Sequence, residues 1–254
     1  MKILLTNDDG IKSPAISLLF DQLSRDHEVW VMAPHTERSA CSQSITTKGA
    51  MIVREVAEKR FSCSGTPADC VLVALKGYFD FQFDLVLSGI NRGPNLGSDI
   101  IYSGTAAGAR QGAMMGVPAA ALSLCLDGLN EADYSLATKW VCRNLDAIVA
   151  VWKPGFFLNI NFPVTMNELT PVVSSVPGTR IYHDKLEVLK APDKSDYCFF
   201  TYQAWPEAVA GEDFSDALLS NQGLITLSEI AILPGSVLLP EARAAQFKTL
   251  RESS

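Results

Sequence analysis

Five near-continuous apolar runs, at residues 2–7, 28–33, 84–88, 117–125 and 156–161, alternate with stretches of helical character. A strand that is apolar at consecutive positions has no side to give to water and must be covered on both faces. The intervening helices supply that cover. Ser13-Pro14 and Thr66-Pro67 each place a hydroxyl at an N-cap and a proline at the first helical position, opening helices over about 13–25 and 66–76. Further helices are expected over 105–116 and 132–152. Strand and helix in alternation predict an α/β fold, a Rossmann-like doubly wound sheet that is mostly parallel. After Pro163 the pattern changes. Short strand-like runs at 172–176, 180–189 and 197–203 lie between prolines and glycines, and the next expected helix is at 241–250. The chain therefore divides into a sheet domain, 1–165, and a smaller β-rich antiparallel extension with a terminal helix, 166–254.

With 48% hydrophobic residues in 254, the chain can bury a sizeable core. A net charge of -7 argues against DNA or RNA polymers, whose phosphates need clustered lysine and arginine. It leaves small anions open, because one metal ion reverses the sign locally. No apolar stretch approaches the roughly 20 residues that span a bilayer, so no membrane partner is expected. The opening residues lack a signal-peptide core, and the six cysteines (41, 63, 70, 125, 142 and 198) include no CxxC pair. Reduced thiols in a soluble cytoplasmic protein are the expectation.

Three stretches carry chemistry. Asp8 and Asp9 end the first strand at Gly10, and ligands of open parallel sheets bind beyond such strand ends. Two carboxylates at a strand end suit a hard divalent cation such as Mg²⁺ or Mn²⁺; an acidic turn capping the next helix is the plainer alternative. Residues 89–116 hold seven of the 17 glycines where composition predicts about two. Their loop runs from Ser88 to Asp99, and Ser103-Gly104-Thr105 at the following helix start offers free N–H groups and hydroxyls to an anion. Gly104, Gly108, Gly112 and Gly116 recur at every fourth residue, a packing stripe rather than a membrane-helix pair. The third stretch, 33–46, is long for a connection between strand and helix and rich in hydroxyls. Spacing alone does not choose among Ser39, Ser42 and Ser44 as a ligand, and His35 reads as a surface residue. No GxGxxG, GxxxxGK[ST], HExxH or GxSxG motif occurs.

In order and spacing the chain resembles the SurE family, survival proteins that act as metal-dependent nucleotidases. The resemblance is carried by Ile3–Gly10, by Ala33-Pro34 through Arg38-Ser39 and Ser44-Ile45-Thr46, by Gly65–Val71, and by Ser88-Gly89-Ile90-Asn91 through Asn95-Leu96-Gly97 to Thr105. It spans roughly the first 125 residues, and Asn159–Pro163 matches the family's next strand. Near the carboxyl end, Leu227-Ser228-Glu229 stands where the family more often has Thr-Pro-Leu.

This resemblance implies that Asp8, Asp9, Ser39 and Asn91 bind one divalent cation (Mg²⁺ or Mn²⁺) per subunit. It also implies that Asn95, Ser103, Gly104 and Thr105 hold the substrate phosphate. The implied activity is a 5'-nucleotidase, a phosphomonoesterase cleaving nucleoside 5'- and 3'-monophosphates, with short polyphosphate as a further substrate in some members. Asp8 would be catalytic, either steering a water and taking its proton or attacking phosphorus itself. The extension would be exchanged between subunits, giving homodimers or homotetramers. Two other classes compete. A non-catalytic nucleotide- or polyphosphate-binding regulator would keep the same pocket. A phospho-receiver module would need an acceptor aspartate and a lysine at later strand ends, where Ser88 and Cys125 stand instead.

Overall fold

The computed structural model describes residues 1–126, 132–202, 207–208 and 213–235. β1 (Lys2–Thr6) is followed by α1 (Pro14–Leu23) and β2 (Glu28–Pro34). A hairpin follows, β3 (Val53–Ala57) and β4 (Arg60–Cys63), and then α2 (Pro67–Val73), which ends in a wider helical turn at Ala74–Tyr78. β5 (Leu85–Arg92), the short α3 (Asp99–Tyr102), α4 (Gly104–Met114), β6 (Ala119–Cys125), α5 (Ser135–Val151) and β7 (Phe156–Pro163) follow. Beyond β7 come β8 (Val172–Ser174), β9 (Arg180–Ile181), β10 (Asp184–Lys190), β11 (Asp196–Tyr202), β12 (Glu207–Ala208), α6 (Asp216–Asn221) and β13 (Ile225–Ala231). The helix expected at 241–250 lies outside the described residues.

Nine strands form the main sheet in the order β3-β4-β2-β1-β5-β6-β7-β13-β8. The six from β4 to β7 run parallel, and β13 returns antiparallel beside β7. The α/β expectation is met, and the sheet shows why the apolar runs are continuous. Ile3 and Leu5 face one core with α1 and α5, while Leu4 faces a second core with α2 and α4. Period-two alternation hides because both faces are inside.

From β1 the chain winds outward through β2 to β4, then returns to place β5 on the other side of β1. β1 and β5 therefore flank the point where the strand order reverses, and their carboxyl ends frame a crevice. Asp8-Asp9 and Asn91 stand at those two ends.

Several elements differ from the sequence reading. The hairpin β3–β4 was not anticipated: β3 is a mostly exposed edge strand without alternation, so it leaves no hydrophobic signal. β5 runs four residues past Ser88, through a cis Gly89–Ile90 peptide. The run at 180–189 is two strands, β9 and β10. The antiparallel extension is present as β10–β11, but β8 and β13 rejoin the main sheet.

A candidate metal and phosphate site at the sheet switch point

The turn after β1 is built by Asn7. Its carboxamide donates to the Gly10 carbonyl at 3.0 Å and accepts the Gly10 N–H at 3.1 Å. Gly10 has φ +95°, a left-handed conformation that costs glycine little, and its missing Cβ leaves room for the Pro34 carbonyl. The closed turn delivers two successive carboxylates to one crevice.

Asp8 is buried, and Thr105 holds it. Its Oδ2 accepts the Thr105 N–H at 3.0 Å, and its Oδ1 accepts the Thr105 hydroxyl at 2.5 Å. Burial pushes the Asp8 carboxyl above its ordinary range, against the pull of these bonds. The first turn of α4 therefore already receives an anion, the Asp8 carboxylate. This differs from the expectation of free donors at that helix start: Thr105 gives both of its donors to Asp8, and the Ser103 hydroxyl caps the helix by accepting the Ala106 N–H at 2.9 Å. Gly104 is required for the same contact, since a Cβ there would stand 2.8 Å from the Asp8 Cβ. The later stripe behaves as expected of packing, with Gly108 against Ser88 and Thr6 and Gly112 against Val86.

Asp9 is half-buried, and its Oδ2 has no hydrogen-bond partner although the atom is shielded from solvent. Burial, then the neighbouring Asp8 charge, raise its carboxyl to about 6, while the Arg92 N–H draws it down. Ser39 lies on the exposed loop after β2, with its hydroxyl donating to Glu37 Oε1 at 2.7 Å. That loop is pinned beside it, because the Arg38 N–H donates to the Asp8 carbonyl at 2.7 Å and the Arg38 side chain donates to the Ser64 carbonyl at 3.0 Å. Asn91, near the end of β5, is half-buried, and its side-chain nitrogen donates to the Gly93 carbonyl at 3.0 Å. Asp8 and Asp9 are thus linked to the neighbours of Ser39 and Asn91 by main-chain bonds, so the four expected ligands share one edge.

The donor set fits a hard divalent ion. Two carboxylates bring charge, a hydroxyl and a carboxamide bring neutral oxygen, and an orphaned buried carboxylate oxygen is what a cation would satisfy. Among the described residues no cluster of three or more His, Cys, Asp or Glu side chains is placed to hold a metal, so a nitrogen- or sulfur-rich zinc site has no candidate there. The six cysteines are all free thiols.

The family model for Survival protein SurE matches residues 3–184. The chain belongs to the SurE family. It is 39% identical over 236 residues to "5'-nucleotidase SurE" of Kosmotoga olearia, covering 91% of this chain and 92% of that one. It is 35% identical over 238 residues to the protein of the same name from Clostridium beijerinckii, again covering 91% and 92%. Among solved structures, the SurE protein of Aquifex aeolicus superposes with a TM-score of 0.79 at 28% identity, covering 93% of this chain and 95% of that chain.

Within this SurE fold, sequence reasoning missed the residues that hold the site loops. Asp69 is fully buried at the third position of α2. Besides closing a capping box with Thr66, it accepts the Thr46 N–H and hydroxyl, both at 2.8 Å, and so ties down the far end of the Ser39 loop. Asp216, equally buried, accepts the Gly97 N–H at 2.9 Å and the Gly178 N–H at 3.0 Å. Asn95 is buried, with its side-chain nitrogen donating to Ser123 Oγ at 2.8 Å. The signal for Ser123, Asn159 and Asn161 was present: they are polar residues inside otherwise apolar strands.

Proposed function

We propose that this SurE-family chain is a 5'-nucleotidase that uses one divalent cation, Mg²⁺ or Mn²⁺, held by Asp8, Asp9, Ser39 and Asn91. It hydrolyses nucleoside monophosphates to nucleoside and inorganic phosphate. The observation that carries this reading is the acid pair at the switch point, with Asp8 fixed by Thr105 and Asp9 keeping a buried oxygen without a partner. Nothing in the net charge opposes it, because two of the 28 acids suffice to recruit the cation that attracts a phosphate.

The cation, when bound, supplies Lewis-acid polarisation of the phosphoryl group. This chain's own residues supply orientation and proton handling. Thr105 locks the Asp8 carboxylate in one rotamer, and burial raises its basicity, which favours accepting a proton from an attacking water. In that route water adds to phosphorus, the ester P–O bond breaks, and the nucleoside leaves as its alcohol. Asp8 as nucleophile would instead form an aspartyl-phosphate that water then cleaves. Asn95, Ser103 and Gly104 are the phosphate contacts in this reading, while Thr105, whose two donors are held by Asp8, acts by fixing that carboxylate. A cavity of about 540 Å³ beside Asp9, lined by Lys12, Pro14, Arg92 and Tyr134 among others, gives space for the nucleoside.

The hairpin β10–β11 is the proposed assembly element, forming a homodimer or homotetramer. Leu186, Val188, Leu189, Tyr197, Phe199 and Phe200 are all exposed on it, more apolar surface than a two-stranded ribbon keeps in water without a partner. No helix among the described residues is long and apolar enough to cross a membrane.

Phosphate release from AMP, GMP and 3'-AMP with Mn²⁺ or Mg²⁺, before and after EDTA, tests the activity. Metal-dependent release is expected; no release from any of the three overturns the reading. Acid-quenching the reaction and looking for phosphate on Asp8 separates the two chemical routes.

A further inference from the structure

Ser123 on β6 and Asn159 and Asn161 on β7 are fully buried polar side chains in strands that otherwise carry Ala, Leu, Ile, Phe, Cys and Pro. Asn159 and Asn161 are two residues apart and so share a face of the sheet. All three bond to one residue beyond the end of β5. Asn161 accepts the Asn95 N–H on Oδ1 at 2.9 Å and donates from Nδ2 to the Asn95 carbonyl at 3.2 Å. Asn159 Nδ2 donates to the same carbonyl at 2.8 Å, and Ser123 Oγ accepts from the Asn95 side chain at 2.8 Å. The main-chain N–H, carbonyl and carboxamide of Asn95 are therefore each fixed by a side chain rooted in the sheet. Apolar residues at these strand ends would serve the fold without the desolvation cost of burying amides.

We infer that Asn161 and Ser123 are positioning residues for phosphate-ester hydrolysis: Asn161 sets the main chain of Asn95, and Ser123 orients its carboxamide toward the phosphate. The inference rests on the nucleotidase reading, in which Asn95 touches substrate. It accounts for the Asn159-Ile160-Asn161 stretch, to which no role had been assigned. A side chain displaced by about 1 Å in such a site costs on the order of 100-fold in rate, so rooting Asn95 in rigid strands matters more than adding another contact.

Ser123→Ala removes only the acceptor for the Asn95 carboxamide. Asn161→Asp keeps the acceptor for the Asn95 N–H but sets an oxygen against its carbonyl. Each is made in the full chain and assayed with Mn²⁺ and AMP for kcat, KM, inhibition by inorganic phosphate, Mn²⁺ affinity and thermal midpoint. The expected result for Ser123→Ala is a roughly 10-fold loss in kcat/KM and weaker phosphate inhibition, with Mn²⁺ affinity and midpoint unchanged. Asn161→Asp should lose on the order of 100-fold. Variants that lose only thermal midpoint, with wild-type kcat, KM and phosphate inhibition, overturn the positioning role. If Asn161→Asp does not fold, Ser123→Ala decides alone. An inactive wild-type protein defeats the nucleotidase reading itself, which is a different outcome from active variants of an active enzyme.

Discussion

At the carboxyl edge of the parallel sheet, Asp8, Asn95, Ser123, Asn159 and Asn161 are polar and buried; on the β10–β11 hairpin, Leu186, Leu189, Phe199 and Phe200 are apolar and exposed. Both regions reverse the usual sorting of side chains, and they do so for different reasons. Asn95, Ser123, Asn159 and Asn161 bond to one another and Asp8 bonds to Thr105, whereas the neighbouring Asp9 keeps a shielded carboxylate oxygen without a partner. That marks a place completed by a small charged ligand. The hairpin is paired along its length within the ribbon and has its apolar side chains uncovered. That marks a place completed by area, which a small ligand does not supply. A region's unmet need, hydrogen bonds in one case and burial in the other, identifies what completes it.

The sharpest way to break the comparison is at Asp9. Asp9→Asn keeps the shape and removes one of two charges, so at least about 100-fold of the metal-dependent rate should go, the equivalent of roughly 3 kcal/mol in the barrier. The fold should survive, because burial and Asp8 already oppose the charge being removed. Full activity in that variant would take Asp9 out of the site. A smaller effect separates site from packing along a single helix. Gly104→Ala puts a methyl 2.8 Å from the Asp8 Cβ, whereas Gly108→Ala puts one 2.7 Å from Ser88 Oγ. Both should cost on the order of 1–3 kcal/mol of stability through overpacking. Only the first should also lower kcat, by about 10-fold or more, since it displaces the Asp8 carboxylate. Denaturant melts alongside steady-state kinetics check this, and equal kcat losses in the two variants would remove the distinction.

The parallel sheet was legible because double-sided burial writes itself as unbroken apolar runs, as in β1 and β6. Helix starts at Pro14 and Pro67 were legible because proline and a preceding hydroxyl have a local cause. The edge hairpin β3–β4 was not, since β3 is mostly exposed and the buried run of β4 is only three residues long. At the site, Asp8 and Asp9 could be located at a strand end because Gly10 is a local signal, whereas Asn91 came only from the family resemblance, the strand being expected to stop at Ser88. What the sequence did not reveal is which donors are already engaged. Thr105 reads as a free anion contact until Asp8, 97 residues away in the chain, is seen on it. The same holds for Asp69, which reads as an ordinary cap residue and proves to anchor a loop 23 residues upstream.

The hairpin supports the gentlest test. Phe200 is 70% exposed, so replacing it should change the stability of an isolated chain by no more than about 0.5 kcal/mol. If the ribbon is covered in solution by another copy, Phe200→Glu instead places a charge in an apolar interface. Sedimentation velocity should then show a shift toward smaller species, while kcat per chain falls less than for any change at Asp9 or Gly104. The two readouts move independently because the hairpin and the acid pair answer to different partners. A variant with unchanged assembly would mean that the exposed aromatic residues of β11 lie outside the interface. A variant that dissociates and also loses activity as completely as Asp9→Asn would mean that the site is finished by the partner chain, and that the two regions are one.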